Sequence, residues 1–145
     1  MKKLLLIAIC TLFVTSSCRK EDDENEANLI VGTWKLNKQV TQYGNGTSET
    51  DTPTQCEAQS NFVFAADKNL LSNEYYNSGT SCLLDDESGT YSYDQATQLL
   101  TLVLDGENTS VKVENLNSSE LIISVEEGDI DGDGKTDKFL TYLKR

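Results

Sequence analysis

From Leu29 to the last residue the chain shows no convincing helical period; short segments of alternating apolar and polar residues recur instead, bounded by clusters of Gly, Asn, Asp and Ser. Such a pattern makes strands, so the chain is expected to be all-β. The expected strands are residues 31–40, 60–65, 70–76, 89–93, 99–104, 110–116, 120–126 and 138–144. In the first, Trp34, Leu36 and Val40 fall on one face; in the last two, Leu121, Ile123 and Val125, and Phe139, Thr141 and Leu143, do the same. The turns around Asp67-Lys68-Asn69, Asp105-Gly106-Glu107-Asn108 and Asn117-Ser118-Ser119 carry the residues that tight reversals require. Residues 41–56 and 77–88 read as long polar loops.

Eight strands in simple succession suggest an up-and-down meander, and closing it into a barrel removes the unpaired edges of an open sheet. A barrel of that size either fills with side chains or holds one small ligand, and the residue pattern leaves both possibilities open. Tyr75, Tyr76, Tyr91 and Tyr93 are candidates for a binding mouth, since an aromatic body with a polar tip suits sugars and lipids. Aromatic residues are also ordinary strand formers.

The chain has no histidine, so serine-histidine and cysteine-histidine catalysis are excluded. Acids outnumber bases by 24 to 12, and the net charge of −12 repels nucleic acid and anionic headgroups alike. Multivalent cations are the natural small partners of such a surface. Of the four cysteines, Cys56 and Cys82 fall within the folded part, and in an oxidising exterior they read as a disulfide. A redox-active pair or a zinc half-site would want closer spacing or further ligands.

The N-terminus explains that compartment. Lys2 and Lys3 precede an apolar run, Leu4 to Val14, too short to cross a bilayer, and small residues lead to Cys18. The stretch resembles a bacterial lipoprotein lipobox, with Thr15 where Leu is preferred, Ser16 and Ser17 before the cleavage point, and Cys18 as the acylated new N-terminus. That resemblance implies an outer-membrane lipoprotein, at the cell surface or on the periplasmic face, anchored by lipid. The charged run from Arg19 to Glu26 has too little apolar surface to offset the entropy of ordering it and is expected to be a solvated tether. Its acidity also resembles an export tag of Gram-negative surface lipoproteins. The expected organisation is a signal peptide at 1–17, a lipidated tether at 18–28 and one β-barrel domain at 29–145.

Gly32-Thr33-Trp34 at the opening of the first strand resembles the Gly-x-Trp signature of lipocalins, in which the tryptophan plugs the barrel base. Cys56 ahead of Asn61-Phe62-Val63-Phe64 and Ala66-Asp67-Lys68, then Cys82 ahead of Gly89-Thr90-Tyr91, extends the likeness to the lipocalin-like domain of Gram-negative surface lipoproteins. The resemblance implies an eight-stranded barrel, a cysteine pair able to bridge and no catalytic apparatus. It does not imply a particular cargo, and no C-terminal helix like that of true lipocalins is evident.

Near the C-terminus, Asp129, Asp131, Asp133 and Asp137 take relative positions 1, 3, 5 and 9 around Gly132-Asp133-Gly134, with the Lys135 carbonyl at position 7. Carboxylates so spaced about a glycine turn can wrap a hard cation such as calcium. Position 12 is Leu140 rather than Glu, and no helices flank the loop, so it looks more like the calcium loops that cap β-hairpins in integrin-type propeller repeats. Binding is expected to be weak, on the order of 10⁻⁴ M. An acidic hairpin turn without an ion is the simpler alternative.

The leading expectation is therefore a non-enzymatic, membrane-anchored module that binds a small apolar or glycan ligand, with a calcium-stabilised last hairpin. The alternative is an interaction module with a filled barrel. An enzyme using paired acids is disfavoured because the acids cluster in turns. A cavity of about 300 Å³ or more would favour the binding module.

Overall fold

In a computed structural model the described residues are 29–145; the segments expected to be signal peptide and tether, with Cys18, lie outside them. Nine antiparallel strands form one sheet: β1 (Gly32–Gln42), β2 (Ser48–Asp51), β3 (Asn61–Phe64), β4 (Asn69–Ser78), β5 (Ser81–Asp94), β6 (Leu99–Leu104), β7 (Glu107–Leu116), β8 (Glu120–Glu127) and β9 (Asp137–Lys144). A single 3₁₀ turn, Glu57–Gln59, precedes β3.

Pairing of β1 with β9 closes the sheet. Lys35 pairs with Asn61 of β3 and with Lys144 of β9, whereas Gln39 pairs with Asp51 of β2 and Thr141 of β9. Thus β2 and β3 lie in tandem along the edge of β1 opposite β9. They share one place in an eight-position barrel, and no edge of β1 is left long and bare.

All eight expected strands are present, with two corrections. Residues 41–56 contain β2, and most of 77–88 belongs to a long β4–β5 hairpin paired from Asn69 opposite Thr90 to Ser78 opposite Ser81. Every residue of β2 is exposed, so its pairing with β1 leaves no apolar alternation to read. Val40, moreover, does not share a face with Leu36. A bulge between Leu36 and Lys38 shifts the register, so Leu36 pairs with Leu143 while Val40 pairs with Leu140 on the other face of β9. Val40 and Leu140 are buried on the outer wall, with buried Ser124 opposite Leu140.

The core fills one end of the barrel: Ile30, Trp34, Phe64, Leu70, Leu100 and Leu121 are joined by Tyr91, Val111, Val113 and Leu143. Trp34 is fully buried, and its indole N–H donates to the Ile30 carbonyl at 2.8 Å. The Arg145 guanidinium lies 4.3 Å from the Trp34 ring centroid and donates to the carbonyls of Leu29 and Val31. Gly32 has a φ of 138°, and a Cβ there would stand 3.3 Å from that guanidinium. The Gly-x-Trp spacing thus leaves room for a cation that seals the base.

Tyr91 forms an edge-to-face pair with Phe64, centroids 4.9 Å apart, and its hydroxyl donates to the Ala65 carbonyl at 2.8 Å. It is a core residue, which removes it from the candidate mouth. At Gly89 the neighbouring strand comes so close that a Cβ would lie 1.7 Å from the Val103 carbonyl oxygen.

Candidate functional site

Beyond the filled base the barrel is open inside. A cavity of about 300 Å³ has Leu36, Phe62, Ile123 and Leu143 as apolar wall, with Gln39 and Thr141 as inward polar groups and Tyr75 and Tyr76 alongside. A second, of about 500 Å³, is bounded by Phe62, Leu102 and Leu104 together with Glu74, Glu87 and Glu107. Phe62, Ser72 and Glu74 border both. Of the four candidate tyrosines, Tyr75 and Tyr76 reach a cavity, while Tyr93 packs against the core.

The acidic members were missed in the sequence: Glu87 and Glu107 fell in segments expected to be loop and turn, and Glu74, within the expected strand 70–76, was assigned no role. Their signal was parity: Ser72 and Glu74 follow buried Leu70 at intervals of two, as Glu87 precedes Gly89 and buried Tyr91. Burial holds the Glu87 carboxyl above its ordinary value, and the negative charges of Asp105, Asp85, Glu74 and Glu107 push it further the same way.

Cys56 and Cys82 are bonded, with Cα atoms 5.6 Å apart. The bridge ties the turn before β3 to the β4–β5 hairpin where that hairpin rises past the core, with Leu83 and Leu84 exposed beside it.

The loop between β8 and β9 folds on its own carboxylates. Asp129 accepts from the backbone N–H groups of Gly132 and Gly134 at 2.7 and 2.8 Å, Asp131 from that of Asp133 at 3.1 Å, and Asp133 from that of Lys135 at 2.8 Å. Asp137 is fully buried where β9 begins, accepting from the amides of Gly44 at 2.8 Å and Ile130 at 2.6 Å. The Gly44 N–H, aided by those of Ile130 and Asp131, holds the Asp137 carboxyl below its ordinary value against the opposing effect of burial. Lys135 donates its ammonium to the Gly44 carbonyl at 3.1 Å, and the Asn45 amide donates to Asp131 at 2.8 Å. The loop is thereby pinned to the β1–β2 turn.

Asp129, Asp131 and Asp137 each offer a carboxylate oxygen, all within 4.8 Å of one another. Asp133 is outside this trio; its other oxygen lies 3.9 Å from the Lys135 ammonium. The spacing of the motif is therefore realised in three of its four acids. Arg145, which completes the base with Gly32 and Trp34, was the other residue missed, because a single terminal cation carries no pattern.

A closed antiparallel barrel, plugged by tryptophan at one end and hollow at the other, defines the class. The profile of the lipocalin-like domain matches residues 30–123, and the chain belongs to that family. No curated protein matches it. Among solved structures it is similar to a lipocalin-like protein from Bacteroides uniformis, at 17% identity and a TM-score of 0.51, over 81% of this chain and 98% of that one. It also resembles the bovine lipocalin allergen Bos d 2, at 16% identity and a TM-score of 0.46, over 83% of this chain and 75% of the allergen. At these identities the likeness concerns the fold alone.

Proposed function

We propose that this chain is a non-enzymatic lipoprotein, anchored in the outer membrane through Cys18, that holds a small apolar or glycan ligand in the hollow half of its barrel. The observation that carries the reading is the interior itself. A barrel serving only as a scaffold would be filled throughout, whereas this one keeps about 300 and 500 Å³ in two adjoining cavities with an apolar wall and a few polar groups. The absence of histidine from the chain supports a binding role over acyl-transfer catalysis. Native mass spectrometry of the protein purified from its own host tests the reading. A retained small molecule is expected; an empty barrel that also takes up no amphiphile would overturn it.

The same proposal includes calcium at the β8–β9 loop, held by Asp129, Asp131 and Asp137 with the Lys135 carbonyl. Its support is the convergence of three carboxylates within 4.8 Å at motif spacing. With affinity on the order of 10⁻⁴ M, about 1 mM calcium adds roughly 1.4 kcal/mol to stability. The melting temperature is therefore expected to rise by several degrees between EDTA and calcium, and Asp131→Ala to abolish the rise. A shift below about 1 °C in the unsubstituted chain speaks against the site.

A further inference from the structure

The inner wall of the barrel changes chemistry along its axis. On β4 the inward positions run Leu70, Ser72, Glu74; their partners on β5 are Gly89, Glu87 and Asp85. On β6 Leu100, Leu102 and Leu104 stand opposite Val111, Thr109 and Glu107 of β7. The same face that is apolar at the sealed base becomes carboxylate towards the opposite end.

The cavity of about 500 Å³ occupies this transition, with apolar Phe62, Leu102 and Leu104 on one part of its wall and Glu74, Glu87 and Glu107 on another. No lysine or arginine lines either cavity. The ion pairs among the described residues, Lys135 with Asp133 and Lys138 with Glu114, lie elsewhere. Glu74 faces Asp85 directly across the ladder, an arrangement that repels. At Glu87 burial first, and then the charges of Asp105, Asp85, Glu74 and Glu107, raise the affinity of the carboxyl for its proton. Glu87 is half-buried and Glu74 and Glu107 are exposed, so a concave wall with one sign of charge faces the open end and attracts an entering cation.

We infer that the hollow half of the barrel takes an amphiphilic cation, its apolar body against Phe62, Leu102 and Leu104 and its ammonium or guanidinium group among Glu74, Glu87 and Glu107. This rests on the ligand-binding reading above and adds the sign of the ligand's charge. A fatty acid of the same length meets repulsion where the ammonium meets attraction, and a neutral alcohol gains only hydrogen bonds.

Decylammonium, decanol and decanoate share one tail and isolate the head group. Titrated calorimetrically into the full chain below their micellar concentrations, decylammonium is expected to bind one per barrel, on the order of tenfold tighter than decanol, with decanoate the weakest. High salt should narrow that gap. The double variant Glu74→Gln, Glu107→Gln should bring decylammonium to the affinity of decanol and leave decanol unchanged. Its melting curve checks folding, which loss of like charges should not impair. Equal binding of the three probes overturns the charge preference and leaves the ligand-binding reading intact, whereas binding of none sinks both. A preference that survives the double variant, or many molecules bound per chain, also overturns the inference.

Discussion

Glu87 shows at the scale of one residue how burial and like charges act on a carboxylate of the cavity wall. Its folded pKa lies above the ordinary 4.5, because burial and four neighbouring carboxylates disfavour the charged form. The sign follows from linkage. An acid whose pKa is raised on folding destabilises the fold where it is ionised, and the penalty disappears once pH falls below the unfolded value. Glu87→Gln is therefore expected to raise the midpoint of urea unfolding at pH 7 and to leave it unchanged near pH 4. Equal midpoints at both values would mean that the neighbouring charges do not reach Glu87. Glu114 has the opposite balance: hydrogen bonds from Lys138 and then Ser124 hold its carboxyl below the ordinary value. Its contribution is present at neutral pH and is lost as pH falls through the lowered value.

Among the elements, the β4–β5 hairpin depends most on a single covalent link. Beyond the core its residues are exposed on both faces, so little apolar burial holds it in place. The bond from Cys56 to Cys82 closes a separation of 26 residues. In the chain-entropy account, Cys82→Ser costs about 3 kcal/mol of unfolding free energy. Amide exchange should accelerate first in the 76–84 segment, and unchanged protection there would show that the strand ladder alone suffices. The same two-sided exposure explains what was legible in the sequence. Strands 99–104, 120–126 and 138–144 announce themselves because one face is buried and alternation survives. β2 and residues 81–86 are exposed on both faces, so they show no buried-exposed alternation and pass for loops. A bulge in β1 reversed the face of Val40 for a comparable reason, since inserting one residue changes parity without marking the sequence. The acidic loop was readable as a spacing; its docking on Gly44 and Asn45, about ninety positions away in the chain, was not.

For the molecule as a whole, closure depends on both ends of the described chain meeting at the base. β1 and β9 pair from Lys35 opposite Lys144 to Gln42 opposite Lys138, and past that ladder Arg145 reaches the Leu29 and Val31 carbonyls while covering Trp34. One side chain thereby fastens the first described residues, the tryptophan plug and the last strand together. Among the described residues the cavity half has no such plug. Arg145→Ala removes two charge-assisted hydrogen bonds and a cation–π contact and is expected to destabilise the fold by on the order of 2 kcal/mol. Arg145→Lys should recover part of this, since an ammonium keeps the charge but lacks the planar fork that serves two carbonyls at once. In hydrogen exchange the loss should appear at residues 29–34 and along β9, with the cavity end of β4 and β5 unaffected. Uniform loss of protection would instead mean that the base and the hollow half open as one unit, and a ligand in the cavities would then stabilise the tryptophan plug as strongly as its own surroundings.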